Sequence, residues 1–389
     1  GRLDVARLRA RSPGGLVVKV ALDVSAVPPR IAGAGRYVAE VAARLTPLGV
    51  ETTLVTRRDD LDRWRTRAPQ TTLAPLVPTN RVGRLLYEAT RLGSSPVARQ
   101  ADIWHAPHYT MPRRASTPVV VTIHDLTFFT NPEWHERAKV IFFQRAIRYA
   151  AAHATELICV SAYTARQLHD VLAPSVPVSV APLGVDHARF HPRDERDEGD
   201  LTRAGLATTT PFLLYVGTLE PRKGVDVLLR AFAELAREDA ELELWIAGQA
   251  GWAVGPISEQ LRTHPYANRV RRLGFVDEVV LPALFRRARV VVYPSRGEGF
   301  GLPVLEAMAC GASVVTSRDT VMAEVAGDSA VLCRAGDAND LASALSGVLH
   351  EDRDVTTARQ RAAAARAQGF TWEATMQTHL EVYERARRA

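Results

Sequence analysis

The sequence predicts an α/β protein with two doubly wound domains that face each other across a cleft. Short apolar runs rich in valine, leucine and isoleucine alternate with helical patterns along most of the 389 residues. This alternation is typical of parallel sheets covered by helices on both faces. It occurs twice, a polar segment separates the two series, and each series has the length of one domain.

The first series predicts a domain over residues 17–185. Its apolar runs are "LVVKVALD", "ETTLVT", "PVVVTIHD", "TELICVS" and "VSVAP", with helical patterns such as "GRYVAEVAARL" and "ERAKVIFFQRAIRYAAAH" between them. Residues 1–16 are charged and lack the apolar centre of a secretory signal. We expect them to be disordered or of vector origin.

The second series predicts a domain over residues 211–368. It follows the polar segment 186–210, which we expect to be a linker. Its apolar runs are "PFLLYVGT", "LELWIAG", "VRRLGF", "VVVYPS", "SVVTS" and "AVLC", and a last helical pattern occupies residues 369–389. The ligand is expected in the cleft, beyond the carboxyl ends of the strands.

Composition limits the classes of function. No apolar stretch approaches the roughly 18 to 20 residues of a membrane-spanning helix. Cys159, Cys310 and Cys333 lie in apolar contexts without metal-ligand spacing, which favours buried reduced thiols in a cytoplasmic protein. The net charge of +6 is compatible with an anionic ligand, a membrane surface or nucleic acid. Because arginine is spread along the chain and no nucleic-acid module is present, we do not expect nucleic acid as a partner.

The loop "PPRIAGAGRYVAE" contains Gly33 and Gly35, the start of a dinucleotide fingerprint whose third glycine position holds Val38. The next strand, "ETTLVT", lacks the acidic residue that holds a ribose in nicotinamide enzymes, which weakens the alternative of an oxidoreductase. The glycines either serve only a tight turn or let a phosphate or an acceptor approach the backbone beside Arg36. We favour the second interpretation.

His124 and Asp125 end the run "PVVVTIHD", which is otherwise typical of a strand buried on both faces. Such a polar pair is either a hydrogen-bonded part of the core or part of a site. Its position at a strand end favours a site.

Two turns of the second half combine features of an anion site. "GTLEPRKG" places Arg222 and Lys223 directly before a helix, where fixed positive charges and free amides can hold a diphosphate. "SRGEGFGLPVLEAMACG" is a glycine turn before a helix, another place where amides attract anions, yet it carries Glu298 and Glu306. We therefore expect a ligand with an anionic part for the amides and a polyhydroxyl part for the carboxylates.

The motifs "GTLEPRKG", "WIAG", "LGFV" and "YPSRGEGFGLPVLEAMACG", in this order and spacing, resemble the donor-binding half of the retaining glycosyltransferases of family 4. The resemblance covers residues 17–389 and implies the glycosyltransferase-B fold, with a Rossmann-like domain on the acceptor side and a second one that binds the nucleotide sugar. "ALDVSAVPPRIAGAGRYVAE", "WHAPHYTMP" and "VTIHDLTFFTNPEWH" further resemble bacterial mannosyltransferases of this family. The final pattern "FTWEATMQTHLEVYERA" resembles the family's last helix, which crosses back onto the first domain.

The resemblance implies roles for individual residues. Glu306, expected in the first turn of its helix, binds the ribose hydroxyls, Glu298 binds hydroxyls of the transferred sugar, and Arg222 and Lys223 bind the diphosphate. The implied catalytic residues are His124, Asp125, Glu298, Arg222 and Lys223. The further residues expected to bind the nucleotide sugar are Gly33, Gly35, Thr218, Gly274, Phe275, Val276, Gly299, Phe300, Gly301 and Leu302. Many family members have arginine where this chain has Thr218, so the diphosphate depends more heavily on Arg222 and Lys223.

The implied reaction is transfer of a hexosyl unit, with mannose from GDP-mannose favoured, to a saccharide or lipid-linked acceptor with α-linkage. Neither a cofactor nor a metal is expected. The alternatives are a UDP-sugar-dependent transferase of the same family and a nucleotide-sugar epimerase on the same fold. His124 would contact the transferred sugar or the phosphate, and Asp125 would orient His124 or the acceptor. The basic and apolar pattern over residues 136–153 either contacts a membrane surface or, as is more common, packs on the sheet.

Overall fold

The computed structural model describes residues 17–29, 31, 33–251 and 255–389, with the side chain of Arg81 left aside. Residues 1–16, for which disorder or a vector origin is expected, lie outside the described residues. The chain divides into two compact units, one made of residues up to Gly184 together with Trp372–Ala389, the other of Val185–Thr371.

The described strands of the first unit form a seven-stranded parallel sheet in the order β3-β2-β1-β4-β5-β6-β7. The strands are β1 (Lys19–Asp23), β2 (Glu51–Arg57), β3 (Thr72–Val77), β4 (Ile103–Ala106), β5 (Val119–Ile123), β6 (Glu156–Cys159) and β7 (Val178–Val180). The helices are α1 (Ala34–Leu45), α2 (Leu61–Arg67), α3 (Arg81–Thr90), α4 (Pro96–Gln100), α5 (Thr127–Thr130), α6 (Arg137–His153) and α7 (Ala162–Leu172). β4, β5 and β6 are buried along their whole length. This burial suits the mainly apolar sequences of β5 and β6, whereas β4 buries a histidine.

Strands β3 and β4 are not among the predicted strands. β3 lies at the edge of the sheet and contains Pro75, which is tolerated there because an edge strand has unpaired amides. β4 has only four residues and includes His105 at its centre, so it lacks the apolar run by which the other buried strands are recognised.

The described strands of the second unit form a six-stranded parallel sheet in the order β10-β9-β8-β11-β12-β13. The strands are β8 (Phe212–Val216), β9 (Glu243–Ala247), β10 (Val270–Gly274), β11 (Val290–Tyr293), β12 (Val314–Ser317) and β13 (Val331–Cys333). The helices are α8 (Asp197–Arg203), α9 (Val225–Glu238), α10 (Gly255–Thr263), α11 (Leu281–Arg287), α12 (Leu302–Ala309), α13 (Val321–Ala326), α14 (Ala338–Leu349) and α15 (Arg353–Ala367). All six predicted apolar runs of this half are strands.

The segment 186–210, expected to be a linker, packs against the second unit through helix α8. Arg286 of α11 binds Asp197 of α8 through two hydrogen bonds, of 2.6 Å from Nε and 2.5 Å from Nη2. Leu201 on the same helix is buried. The part of this segment that forms α8 is thus packed on the second unit, and its acidic residues form a helix first turn, where negative charge is favourable.

The last helix, α16 (Trp372–Arg388), belongs to the first unit. Five side chains join it to β4, β5 and α1 in an unbroken series of hydrogen bonds. The distances are 2.7 Å from Tyr383 Oη to His105 Nδ1, 2.8 Å from His105 Nε2 to Thr122 Oγ1, 2.8 Å from Thr122 Oγ1 to Tyr37 Oη and 2.7 Å from Tyr37 Oη to His379 Nε2. Each of the five is at most 1% exposed.

One carbonyl group fixes the direction of this series. His379 Nδ1 lies 2.8 Å from the carbonyl oxygen of Thr375, which can only accept, so Nδ1 carries the proton. Burial lowers the pKa of His379 to about 4 and that of His105 well below its ordinary value, so both rings are neutral and Nε2 of His379 accepts. The donors then follow in one direction: Tyr383, His105, Thr122, Tyr37 and His379.

Helix α6 packs an apolar stripe on the sheet, which is the more common of the two interpretations given for residues 136–153. Ile147 is fully buried, and the ring of Phe143 stacks on Phe128 with centroids 4.5 Å apart. Ile141 and Phe142 are exposed on the same helix. Among the described residues, no helix is both long and apolar enough to cross a membrane.

Candidate active site

In the second unit, two sequence motifs meet where the strand order reverses. β8 and β11 are neighbours at the centre of the sheet, and the chain continues from β8 toward β9 on one side and from β11 toward β12 on the other. The "GTLEPRKG" turn follows β8 and the "SRGEGFG" turn follows β11. Ligands of open α/β sheets bind at such a reversal, beyond the carboxyl ends of the strands.

The two turns are in direct contact through their backbones. Gly224, at the start of α9, has φ 72°. A side chain there would lie against the carbonyl oxygen of Pro294, so only glycine permits this approach. The amide of Arg296 and the hydroxyl of Ser295 also contact the carbonyl oxygen of Arg222, at 2.8 and 3.1 Å.

Glu298 lies at the centre of the cluster that this contact creates. Its Oε2 accepts a hydrogen bond of 2.9 Å from Nη1 of Arg222, and its Oε1 forms an ion pair with Lys223. Tyr293 Oη lies 3.0 Å from Oε1, and Lys223 Nζ lies 2.9 Å from the same phenol. The structure thus brings together three residues for which separate ligand contacts were predicted.

The charges of the cluster are closely balanced. Burial alone would raise the pKa of Glu298, but Arg222 and Lys223 outweigh burial and lower it to about 2. Burial and the adjacent Arg222 lower the pKa of Lys223, and Glu298 opposes this shift. Glu220 adds a second carboxylate, so two cations and two anions share the site.

Thr218 stands where the resemblance described above implies arginine in many members, and its hydroxyl contacts a carboxylate. Its hydroxyl lies 3.1 Å from Oε1 of Glu220, whose Oε2 accepts a hydrogen bond of 3.1 Å from Nε of Arg222. Thr218 therefore acts on Arg222 through Glu220 and adds no positive charge.

Helix α12 begins next to this cluster. Gly301 precedes it with φ 101°, and Pro303 lies at its second position. The first amides of a helix have no partner within the helix, so those near Phe300, Gly301 and Leu302 are suited to an anion.

Glu306 is the fifth residue of α12, which corrects its expected place in the first turn, because the helix begins only at Leu302. Its side chain is buried, with 4% exposed. Gly274 ends the edge strand β10 in a left-handed conformation, followed by the exposed Phe275 and the partly buried Val276.

His124 is the first residue beyond β5 in the first unit, as the sequence predicted. Its Nε2 lies 2.7 Å from the carbonyl oxygen of Pro107, which requires Nε2 to carry the proton. Burial lowers the pKa of His124, although the Pro107 carbonyl and the Asp125 charge oppose this shift. The ring is therefore neutral, and its Nδ1 carries a lone pair that can only accept a hydrogen bond.

Asp125 lies two residues before the first residue of helix α5. Its Oδ1 accepts hydrogen bonds from the amide of Thr127 at 3.0 Å and from its hydroxyl at 2.6 Å. The carbonyl of Pro107, and not Asp125, holds the His124 ring through a hydrogen bond. The other expected role of Asp125, toward an acceptor, stays a prediction.

Gly33 and Gly35 lie in the first unit, at the start of α1. Gly33 precedes the helix with φ 52° and is exposed, whereas Gly35 is the second helical residue and is buried. Their expected contact with the nucleotide sugar stays a prediction. Within the described ranges, no group of three or more metal-ligating side chains could hold a metal ion.

Four residues that shape these sites do not stand out in the sequence. Tyr293 and Ser295 belong to the apolar run "VVVYPS", although they lie at a strand end like the polar pair His124 and Asp125. Glu220 belongs to the "GTLEPRKG" turn, where the adjacent cations are the more conspicuous feature. Pro107 acts through its carbonyl oxygen, a group that no side-chain pattern indicates.

Comparison with known proteins identifies the class. Residues 31–189 match the family model described as Glycosyltransferase Family 4, and residues 210–351 match the one described as Glycosyl transferases group 1. O-antigen chain mannosyltransferase B of Escherichia coli is 31% identical over 285 residues, 72% of this chain and 74% of that protein. D-inositol 3-phosphate glycosyltransferase of Kineococcus radiotolerans is 30% identical over 404 aligned positions, 91% of this chain and 90% of that protein. The chain is therefore a glycosyltransferase and belongs to family 4.

The fold class is confirmed by a solved structure as well. Anabaena Alr3699/HepE in complex with UDP-glucose aligns with a TM-score of 0.73 at 18% identity, over 94% of this chain and 99% of that chain. The chain thus has two parallel-sheet α/β units and the glycosyltransferase-B fold.

Proposed function

We propose that this glycosyltransferase transfers mannose from GDP-mannose to a saccharide or lipid-linked acceptor, with retention, α-linkage and no metal. The observation that carries the proposal is the meeting of Arg222, Lys223 and the start of α12 at the strand reversal of the second unit. Two cations and a helix N-terminus at one point suit the diphosphate of a nucleotide sugar.

The proposed chemistry is stabilisation of the leaving group. Negative charge grows on the nucleoside diphosphate as the glycosidic bond breaks, and fixed cations and amides facing it lower the barrier. Retention then follows from attack on the same face of the sugar, with the leaving phosphate accepting the acceptor's proton. The four-residue charge cluster supports this role because its ion pairs fix the positions of the two cations.

His124 is assigned to a hydroxyl of the transferred sugar. A neutral ring whose Nε2 donates to Pro107 offers only the lone pair of Nδ1 to a ligand. That lone pair suits a hydroxyl donor and repels a phosphate oxygen. Sequence analysis left two ligand contacts open for His124, the sugar and the phosphate, and we therefore propose the sugar.

Glu306 is assigned to the ribose hydroxyls and Glu298 to the transferred sugar as well as to the cations. Oε1 of Glu298 accepts from Lys223, Tyr293 and Ser295, whereas the described contact of Oε2 is with Arg222. A sugar hydroxyl is therefore expected at the second lone pair of Oε2. The nucleobase is assigned to the backbone of Gly274, Phe275 and Val276.

The similarity to O-antigen chain mannosyltransferase B of E. coli, which aligns with 72% of this chain, supports mannose over other hexoses as the transferred sugar. The alternative is a UDP-sugar, as bound by Anabaena Alr3699/HepE. An epimerase on the same fold is a further alternative, which would convert the nucleotide sugar without an acceptor.

For the acceptor, the exposed Ile141 and Phe142 of α6 favour a lipid-linked saccharide at a membrane surface. Product formation with vesicle-bound and with free saccharide acceptors distinguishes the two acceptor classes.

A thermal-shift screen of GDP-mannose, UDP-glucose, their nucleoside diphosphates and ADP-glucose tests the proposal. A ligand that binds only the native state raises the midpoint according to its concentration relative to Kd. We expect the largest rise with GDP-mannose. A larger rise in the midpoint with UDP-glucose would assign UDP instead of GDP as the nucleotide of the donor. No rise with any nucleotide would contradict the proposal.

A further inference from the structure

Two buried tyrosines stand side by side on the central strands of the second unit, and their hydroxyl groups have different partners. Tyr215 on β8 and Tyr293 on β11 are stacked, with ring centroids 6.0 Å apart and planes within 10°. Tyr215 donates a hydrogen bond of 3.0 Å to the carbonyl oxygen of Thr218. Tyr293 contacts the two charged side chains of the cluster, Lys223 and Glu298.

The partners of Tyr293 fix the direction of its hydrogen bonds. An ammonium group can only donate, so Lys223 donates to the phenol oxygen at 2.9 Å. The carboxylate of Glu298 can only accept, so the phenol donates its single proton to Oε1 at 3.0 Å. Burial raises the pKa of Tyr293 well above its ordinary value, so the phenol keeps that proton through the neutral and mildly alkaline range.

The contacts of Lys223 leave part of its bonding capacity for a ligand. An ammonium group has three N–H donors. Among the described residues, Tyr293 and Glu298 account for two of them. Both partners lie on the turn and strand of β11, whereas Lys223 lies on the turn after β8, so the phenol holds the two turns in a fixed relation.

We propose that Tyr293 is a positioning residue, whose phenol holds the Lys223 ammonium and the Glu298 carboxylate so that the remaining N–H of Lys223 faces the diphosphate of the nucleotide sugar. This inference rests on the proposed function and adds to it a residue that does not itself contact the reacting atoms.

A consequence is a specific pH dependence of nucleotide binding. The phenol oxygen stabilises the protonated form of Lys223, so its removal lowers the pKa of Lys223 further. The other charged groups of the site stay in place: Arg222 and Glu220 on the same turn, Glu298 beyond β11, and the Arg296–Asp226 ion pair, which contacts the turn through the carbonyl of Pro221.

The test measures the Kd of GDP and of UDP by titration calorimetry between about pH 7 and pH 10.5, for the wild type, Tyr293→Phe, Tyr215→Phe and Lys223→Ala. Affinity is expected to fall at high pH as Lys223 loses its proton. In Tyr293→Phe, this fall is expected at a pH lower by about one unit. A shift of that size in the pKa of Lys223 corresponds to the free energy of one hydrogen bond to a charged group. Titration of the nucleotide itself is common to all four proteins and cancels in the comparison.

Tyr215→Phe is the matched control, because it removes a hydroxyl of equal burial from the stacked neighbour. The affinity of Tyr215→Phe for the nucleotide is expected to fall at the same pH as that of the wild type. Lys223→Ala is expected to bind the nucleotide weakly and to show no fall in affinity at alkaline pH. Circular dichroism spectra and thermal midpoints of both phenylalanine variants check their folds.

Three outcomes would contradict the positioning role or its foundation. If affinity depended on pH in Tyr293→Phe as it does in the wild type, and Lys223→Ala bound the nucleotide more weakly, the role of Tyr293 would be overturned. The proposed function would stay intact. Equal displacement in both phenylalanine variants would assign the effect to the stacked pair as a whole. Wild-type affinity in Lys223→Ala would contradict the diphosphate site itself and this inference with it.

Discussion

Glu298 shows how one side chain determines whether a buried cluster of charges is stable. A carboxylate moved from water to the protein interior loses several kcal/mol of hydration, and an ion pair restores it only with good geometry and further hydrogen bonds. Arg222, Lys223 and Tyr293 supply that geometry. Glu298 therefore acts as an internal counter-ion that holds the two cations together.

Replacement of Glu298 by glutamine leaves the two cations with less neutralisation. We expect the thermal midpoint of the ligand-free protein to fall, because breaking a buried ion pair costs about 3 to 5 kcal/mol. A nucleoside diphosphate supplies negative charge, so the rise in midpoint on its addition is expected to exceed that of the wild type. Differential scanning fluorimetry measures both, with the exposed Glu234→Gln as control. An equal or smaller rise in Glu298→Gln would exclude the counter-ion role.

Replacement of Glu306 by alanine tests the ribose contact. The lost hydrogen bonds to a bound diol are expected to weaken nucleoside diphosphate binding by about 1 to 3 kcal/mol. Calorimetry measures the affinity, circular dichroism checks the fold, and Glu241→Ala, an exposed change in the same unit, is the control. Unchanged affinity in Glu306→Ala would remove the ribose assignment.

At the residue scale, sequence predicted the charged and glycine positions better than the groups that hold them. Lys223 and Glu298 stand out because charges at strand ends are unusual in apolar surroundings. Tyr293 does not, because tyrosine is also a common strand residue. The partner of His124 is the backbone of Pro107, and contacts to backbone carbonyls depend on the path of the chain.

Among the elements, helix α16 carries the clearest energetic consequence. In the unfolded chain, an imidazole titrates near pH 6.5, whereas burial lowers the pKa of His379 to about 4 in the native state. Between these values, the unfolded state binds more protons than the native state. The free energy of unfolding therefore falls as pH falls from about 6.5 toward 4, by up to about 1.4 kcal/mol per pH unit for one imidazole.

The variant His379→Gln removes this titration. We expect it to be less stable than the wild type at about pH 7.5, because one glutamine amide group cannot occupy the positions of both ring nitrogens, which donate to the Thr375 carbonyl and accept from Tyr37. We also expect it to lose less stability on going to about pH 5. Urea unfolding followed by circular dichroism at both pH values gives the difference, and His350→Gln, at an exposed helix end, is the control. Equal pH dependence in His379→Gln and wild type would show that the titration of His379 does not contribute to acid stability.

Element prediction succeeded where apolar runs were continuous and failed where they were not. β3 at the sheet edge and the four-residue β4 with its central histidine lack such a run. Helix α8 resembles a linker in sequence because its acidic first turn is typical of a solvated segment, whereas Arg286 and a buried leucine dock it on the second unit. Contacts distant in sequence decided these cases, and local patterns do not contain them.

For the whole molecule, two repeats of the β/α alternation were enough to predict two parallel-sheet units, and both are confirmed. The family follows from motif order together with the relatives. The base and the sugar of the nucleotide sugar do not follow from the motifs and the relatives. A hexose is selected by a few hydrogen bonds, and their geometry is set by the bound complex.

The most direct test of the proposed reaction is NMR spectroscopy of the linkage formed with GDP-mannose or UDP-glucose, in the presence of a chelator and a panel of saccharide acceptors. The proposal predicts an α-linked mannosyl product, formed from GDP-mannose at an undiminished rate in chelator. A β-linked product would contradict retention, and loss of activity in chelator would contradict metal independence. Preference for UDP-glucose would contradict the assignment of the nucleotide sugar.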